Sequence, residues 1–165
     1  MTRLMFTSDG DPFQLLIRTS TLSPASHAAI GLGPNSEWLL HAYEDGVVLE
    51  SRDRWFGPRK QKLVAEFEIL PDVSDGVQRA LQQVGKKYDV LGAFKIGILR
   101  ALHVFGSPVR NLGPDPTNRY TCAHFVMLLD PVGRKIPEWR DLRRETLVPG
   151  DLLRAASGPS FRRVG

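Results

Sequence analysis

The only cysteine of the chain, Cys122, lies where the sequence predicts the start of a helix. Thr121 before it is a suitable N-cap, and the apolar residues within 125–129 recur at helical spacing. Free backbone N–H groups and the positive dipole end at a helix N-terminus favour the thiolate, which is the nucleophilic form of cysteine. Cys122 is therefore a candidate nucleophile for acyl transfer, and a buried structural cysteine is the alternative.

Two histidines are candidates for the base that a thiol nucleophile needs. His27 lies in a stretch, 26–33, whose alternation predicts a strand, and His41 lies in the next predicted strand, 38–43. If the two strands pair in a suitable register, the imidazoles lie side by side, with His27 as the base and His41 holding its ring. Histidines on half-apolar strands are more often packing or surface residues, so that alternative stays open from the pattern alone.

The elements that would position these side chains are short strands and helices. The predicted strands are 4–7, 26–33, 38–43, 47–50, 63–70 and 152–154, and the predicted helices are 13–19, 74–85, 88–104 and 122–130. The stretches 52–60 and 106–118 are predicted loops, and Trp55 and Phe56 are expected at a rim. This order predicts an α+β fold in which an antiparallel sheet packs against the cysteine-bearing helix.

Size and composition indicate one domain of ordinary type. The chain has 165 residues, of which 42% are hydrophobic and 24% charged, and these are usual values for soluble proteins. We assign 1–156 to a single domain and 157–165 to a flexible basic C-terminal tail. One cysteine excludes an internal disulfide.

The N-terminal pattern predicts no signal peptide, because Asp9, Gly10 and Asp11 interrupt any apolar run. We therefore expect synthesis in the cytoplasm. The apolar stretch 90–105 contains charged residues and is too short for a membrane span, so no stable transmembrane anchor is expected.

Basic residues give a net charge of +4 and gather in the last third of the chain. They predict a basic face for an anionic polymer, a membrane surface or an acidic partner, with a solvated surface as the alternative. No aromatic-interleaved basic motif indicates nucleic acid as a partner. We expect no metal or other cofactor, since one cysteine and four scattered histidines lack zinc-site spacing.

Four segments resemble, in order, the motifs of circularly permuted NlpC/P60 papain-like cysteine hydrolases, a group that includes lecithin:retinol acyltransferase-like enzymes and phage and bacterial relatives. These segments are Ser26–Gly33, Leu39–Ala42, Tyr88–Gly92 and Tyr120–Val126, and Pro149–Leu152 is similar to a closing motif of some relatives. In the permuted group the histidine strand precedes the cysteine helix, as it does here. The resemblance implies a permuted papain-like fold.

The resemblance also implies roles for single residues. Cys122 would be the nucleophile, His27 the general base and later acid, and His41 the third polar residue. Tyr88 is a candidate for lining the substrate cleft or bonding near the thiol, with an ordinary core tyrosine as the alternative. His124 matches a motif position, yet on a helix it points about 200° away from Cys122, so we expect a structural role for it.

The cysteine motif departs from the acyltransferase-like members at two positions. Thr121 stands where they have Asn, and Ala123 stands where they have Glu. These departures bear on the lipid-acyl assignment more than on the thiol chemistry.

Three hypotheses for function follow from the resemblance. The first is a cysteine peptidase or amidase that cuts peptidoglycan, delivered by a phage tail or another device and assembled into a virion in the phage case. The second is a lipid acyltransferase or phospholipase of the lecithin:retinol acyltransferase-like type. The third is a catalytically silent subunit of a phage tail or baseplate. The basic C-terminal region supports the second hypothesis, and in the third it would be the surface that contacts phage-tail or secretion-machinery proteins.

Overall fold

A computed structural model describes residues 1–10, 12–96, 119–143 and 146–164. The strands are β1 (Thr2–Ser8), β2 (His27–Leu32), β3 (Trp38–Tyr43), β4 (Gly46–Ser51), β5 (Lys62–Ile69), β6 (Lys87–Tyr88), β7 (Arg119–Tyr120) and β8 (Phe161–Arg163). The helices are α1 (Pro12–Thr21), α2 (Arg52–Phe56), α3 (Ser74–Leu81), α4 (residues 90–96), α5 (Cys122–Val126) and α6 (Pro149–Ala155), with 3₁₀ turns at Met127–Leu129 and Pro137–Trp139.

Six strands form one antiparallel sheet in the order β4-β3-β2-β1-β5-β8. The predicted α+β class with an antiparallel sheet is confirmed at this level. The first three strands of that order follow from hairpins, since β2, β3 and β4 are consecutive in the chain and joined by short turns. A second, parallel pair joins β6 to β7, and so fixes Tyr88 beside Tyr120, just before the cysteine helix.

The sheet buries both of its faces, and the alternation of side chains along β2 decides what lies on each. Ala28 and Ile30 face the larger core, against which α5 packs through Phe125. Ala29 faces the opposite side and packs in a smaller cluster with Trp55 of α2. The remaining buried residues of the smaller cluster are Met5 and Leu39. The cysteine helix and α2 therefore lie on opposite faces of the same strands.

The prediction of a loop over 52–60 is wrong at its start, where α2 forms. The Ser51 hydroxyl accepts a hydrogen bond from the backbone N–H of Arg54 at 3.3 Å and caps the helix. Trp55 is fully buried rather than at a rim, because the short helix lays the indole over the sheet. Burying a large aromatic side chain stabilises the fold by roughly 1.5–3 kcal/mol.

The predicted strand 152–154 is also wrong, since these residues belong to α6. Pro149 occupies the first turn, where its missing N–H costs nothing, and the carboxylate of Asp151 accepts the backbone N–H of Val148 at 3.1 Å. These two features favour a helix that begins at Pro149 and includes Leu152 and Leu153.

The stretch 157–165, expected to be a flexible tail, contains β8, which pairs with β5. Glu138 fixes the residue before this strand, because its carboxylate accepts hydrogen bonds from the backbone N–H of Ser160 at 2.8 Å and from the Ser160 hydroxyl at 2.7 Å.

Among the described residues, three basic side chains in the last third of the chain form the following ion pairs. These pairs are Lys135–Asp75, Arg154–Asp151 and Arg162–Glu68.

The predicted helix 88–104 begins two residues later, at residue 90, because Lys87 and Tyr88 are held in β6. Its later part, and the predicted loop 106–118, lie outside the described residues. Across the described ranges, no helix is both long enough and apolar enough to cross a membrane.

Candidate active site

Three side chains from neighbouring strands form a buried chain of hydrogen bonds. Nε2 of His27 lies 3.1 Å from Nδ1 of His41, and Nε2 of His41 lies 2.9 Å from Oε1 of Glu50. His27 is the first residue of β2, His41 lies in the neighbouring strand β3, and Glu50 lies in β4. All three residues are buried. The structure thus brings together the two histidines selected from the sequence and adds a carboxylate.

Sequence reasoning missed Glu50. His41 pairs directly with Val48 in the β3–β4 register, so Glu50, two residues further on, is a diagonal neighbour on the same face. The available signal was a single acidic residue inside the apolar strand pattern of 47–50, since a buried carboxylate needs a partner. Identifying that partner required the register of the strands.

Aromatic side chains cover the imidazole pair. The ring centroid of Trp55 lies 4.4 Å from that of His41 and 5.0 Å from that of His27. The ring of Tyr43 packs edge-on against Trp55, and the Arg59 guanidinium lies over both rings at 4.9 and 5.3 Å. This cover excludes water from the hydrogen bonds beneath it and strengthens them.

Burial lowers the pKa of both imidazoles. Desolvation is the largest cause for each, and the positive charge of Arg59 acts in the same direction. The pKa of His27 lies well below its ordinary value of 6.5 and is lowered further by His41. The hydrogen bond to Glu50 partly opposes the shift at His41. Both rings are therefore neutral near neutral pH, and a neutral ring is the form that accepts a proton.

Cys122 is the first residue of α5, as predicted. The Thr121 hydroxyl accepts the backbone N–H of His124 at 3.4 Å, which confirms Thr121 as the N-cap. The same hydroxyl lies 2.7 Å from Nδ1 of His124, so this histidine supports the cap. The helix ends in the 3₁₀ turn before Asp130, in agreement with the expected stop.

Several groups near the sulfur of Cys122 favour its thiolate form. They are the Tyr88 hydroxyl and the backbone groups of Ala28, Cys122 and Ala123. Tyr88 thus lies at the thiol and not elsewhere in the core.

Burial outweighs these donors and raises the pKa of the Cys122 thiol above its ordinary value. The expectation of a resting thiolate is therefore wrong for the empty site. The physical reason is that α5 has five residues, so its dipole and donors are weak against full desolvation of the sulfur. The pair rests as a neutral thiol and a neutral imidazole.

Cys122 and His27 lie at two neighbouring cavities that share Ile17 and Tyr88 as lining residues. Helix α5 packs on one face of the sheet, and the alternation of side chains along β2 places His27 on the opposite face, with Ala29. Within the described residues, no hydrogen bond joins the Cys122 sulfur to His27. Catalytic hydrogen bonds are commonly longer in an empty site than in a substrate complex.

No protein-family model matches the chain, and a search of curated proteins finds no match. Function is therefore inferred from the geometry of the site.

The two cavities differ in chemistry. Most of the walls of the cavity at Cys122 are aliphatic; these residues are Ile17, Ala93, Ile96, Ala123, Leu147, Val148 and Pro149. The cavity at His27 carries the polar side chains of Gln14, Ser26, Tyr43 and Glu44. Burial raises the pKa of Tyr43 to about 12, so its hydroxyl stays protonated. The site offers an apolar compartment beside the sulfur and a polar one beside the imidazole.

Among the residues that the structure describes, no group of three or more His, Cys, Asp or Glu side chains is arranged to hold a metal ion.

Proposed function

We propose that this chain is a thiol hydrolase in which Cys122 attacks the carbonyl carbon of an ester, thioester or amide whose acyl part is apolar. One observation carries the proposal. The buried thiol lines a largely aliphatic cavity, and Ile17 and Tyr88 line both this cavity and the one that contains His27. A thiol and a neutral imidazole at two cavities with shared lining residues are the nucleophile and the base that covalent acyl transfer requires.

The order of events follows from the resting protonation states. The proton of the Cys122 thiol passes to His27 as the sulfur attacks, and the sulfur–carbon bond forms while the carbonyl π pair moves to oxygen. The Tyr88 hydroxyl and the backbone N–H of Ala123, both near the sulfur, would stabilise that oxyanion. The imidazolium then returns its proton to the leaving group, and water releases the acyl group from sulfur with His27 again as base.

The aliphatic cavity favours a lipid-like acyl group over a charged peptide. Of the hypotheses from the sequence, the lipid acyltransferase or phospholipase type therefore receives the stronger support. We also propose a permuted papain-like fold, because the histidine strands precede the cysteine helix in the chain and the sheet packs on that helix.

A peptidoglycan peptidase or amidase is the second candidate. The observation that favours it is the polar lining of the cavity beside His27, which includes Gln14, Ser26 and Tyr43 and suits a polar peptide substrate. Delivery by a phage tail or a secretion device stays a prediction from the resemblance.

The experiment compares substrates of both classes. Purified chain is incubated with p-nitrophenyl esters of increasing acyl length, with phospholipid vesicles, and with peptidoglycan, and acyl-enzyme is trapped and located by mass spectrometry. We expect an acyl adduct on Cys122 with longer esters, none with Cys122→Ala, and loss of turnover with His27→Gln but not with His124→Gln. New amino groups from peptidoglycan without an acyl adduct would favour the second candidate. An inert thiol with every substrate would leave a silent structural subunit.

A further inference from the structure

We propose that Glu50 is a positioning residue that fixes which ring nitrogen of His27 carries hydrogen, so that Nδ1 is the basic atom. The inference rests on the proposed function for its catalytic meaning. The assignment of the ring hydrogens can be tested whether or not the protein is an enzyme.

The argument starts at the carboxylate. Hydrogen bonding to His41 lowers the pKa of Glu50, so the group is ionised near neutral pH and only accepts hydrogen bonds. Since Oε1 of Glu50 lies 2.9 Å from Nε2 of His41, that nitrogen must carry the hydrogen. The opposite arrangement would direct a ring lone pair at a carboxylate lone pair inside the protein.

The constraint passes to the second ring. A neutral imidazole carries one N–H, so a hydrogen on Nε2 of His41 leaves its Nδ1 as an acceptor. Nε2 of His27 lies 3.1 Å from that acceptor and must therefore donate to it. Because a neutral ring carries only one N–H, a hydrogen on Nε2 of His27 leaves its Nδ1 with the free lone pair.

The surroundings of His27 match this assignment. Nδ1 makes no hydrogen bond within the described part of the chain, although the residue is only 2% exposed. The ring lines the cavity that it shares with Tyr88, the residue that also contacts Cys122. An unpaired lone pair on a ring that lines this cavity is the arrangement that a proton acceptor needs.

The cover holds both rings in place. Trp55 packs on His27 and His41 together, so neither ring can flip by 180° without displacing the indole. Arg59 places its positive charge over this cover and disfavours a second proton on either ring. Glu50 supplies the direction of the hydrogen bonds, and Trp55 fixes the ring planes.

The test reads the hydrogens directly. Long-range proton–nitrogen correlation spectra of the nitrogen-15-labelled full chain near neutral pH distinguish the two neutral forms of each ring. We expect hydrogen on Nε2 of both His27 and His41. Hydrogen on Nδ1 of His27 in the wild type would overturn the inference by itself, whatever any variant does.

Variants at Glu50 test the cause. Glu50→Leu removes the acceptor, so we expect mixed forms of both rings and a fall in kcat/KM for p-nitrophenyl esters of about 10²-fold, the usual contribution of a general base. Glu50→Gln keeps an acceptor oxygen, so we expect it to retain the wild-type ring forms and to stay within about tenfold in kcat/KM. Asp53→Leu removes an exposed carboxylate on α2 and is the control. It should change neither the hydrogen positions of the two rings nor kcat/KM.

Two results separate this inference from the proposed function. Wild-type ring spectra in Glu50→Leu would show that Glu50 does not set the hydrogens, even if acyl transfer occurs. Absence of any Cys122-dependent acyl product would remove the proposed function, while the wild-type spectra would still decide the assignment at His27. If Glu50→Leu does not fold, Glu50→Gln and the wild type carry the test.

Discussion

The phenol of Tyr88 lies close enough to the thiol of Cys122 for the two groups to shift each other's pKa, and burial raises the pKa of this phenol well above its ordinary value of 10.0. The phenol therefore stays protonated wherever the thiol titrates. Tyr88 favours the thiolate at every pH at which the thiolate forms. The other groups that favour it belong to the backbone, so only the Tyr88 hydroxyl can be removed by a side-chain substitution.

Tyr88→Phe should raise the pKa of the Cys122 thiol. The reason is that the Tyr88 hydroxyl favours the thiolate form of the sulfur. The rate of alkylation by iodoacetamide as a function of pH measures it. Tyr120→Phe is the matched control, because its hydroxyl bonds Gln83 at 3.0 Å and not the sulfur. Equal profiles for wild type and Tyr88→Phe would contradict the assigned contact.

The free energy of unfolding should fall as the pH drops below about 6.5, the ordinary pKa of histidine. His27 and His41 have lower pKa values in the folded chain than in the unfolded chain, so below this pH the unfolded chain binds more protons. Stability from this source is complete above about pH 6.5 and is lost towards the folded pKa values, at up to about 1.4 kcal/mol per pH unit for each ring. Urea unfolding between about pH 8 and pH 5 measures the slope.

His27→Gln should reduce this slope in the same window, because it removes one of the two buried rings. Glu50 adds a separate loss only below about pH 4.5, because its pKa is lowered from that value. A flat stability profile between pH 8 and 5 would show that the two rings are not buried in neutral form.

Trp55→Ala should destabilise the chain by about 3–5 kcal/mol, since it empties a fully buried indole site. It should also raise the pKa of His41 towards its ordinary value, because water then reaches the ring. Urea unfolding and the pH dependence of histidine NMR shifts measure the two effects. Trp38→Ala is the control, because this indole is 52% exposed and its loss should cost far less. A stable Trp55→Ala chain would show that α2 does not cover the histidines.

Gly76→Ala should destabilise the fold by about 1–3 kcal/mol through overpacking. A Cβ at Gly76 of α3 would meet backbone atoms of Leu129, which follow the cysteine helix directly. Because backbone cannot rotate away, α3 must shift, and we expect slower alkylation of Cys122 or altered esterase kinetics as α5 moves. A Cβ at Gly10 would have no atom within 4 Å, so Gly10→Ala is the control for the added methyl group. Equal unfolding midpoints for the two variants would refute the close packing.

Patterns local in the chain predicted the central part of the fold. The strand 38–43 and the Thr121 cap were both visible in a few consecutive residues, and each depends on local backbone geometry. The pairing of His27 with His41 followed from a hairpin, the shortest tertiary contact available to the chain.

Other features depended on information that no local pattern holds. An apolar run such as Leu152–Leu153 suits a strand or a helix equally, and the caps at Pro149 and Asp151 decided for the helix. Glu50 became visible only through the strand register. The ionisation of Cys122 depended on how deeply the sulfur is buried, which overrode the expectation from its position at a helix start.

The short strand β8 has a consequence for how the chain behaves in concentrated solution. By pairing with β5 it occupies a row of backbone groups that would otherwise be available to another molecule. At the opposite border of the sheet, Val47 of β4 exchanges backbone hydrogen bonds with Lys86 and Gly85. Shortening the chain to residue 156 would uncover one border and leave the other protected, so the truncated protein should self-associate through β5.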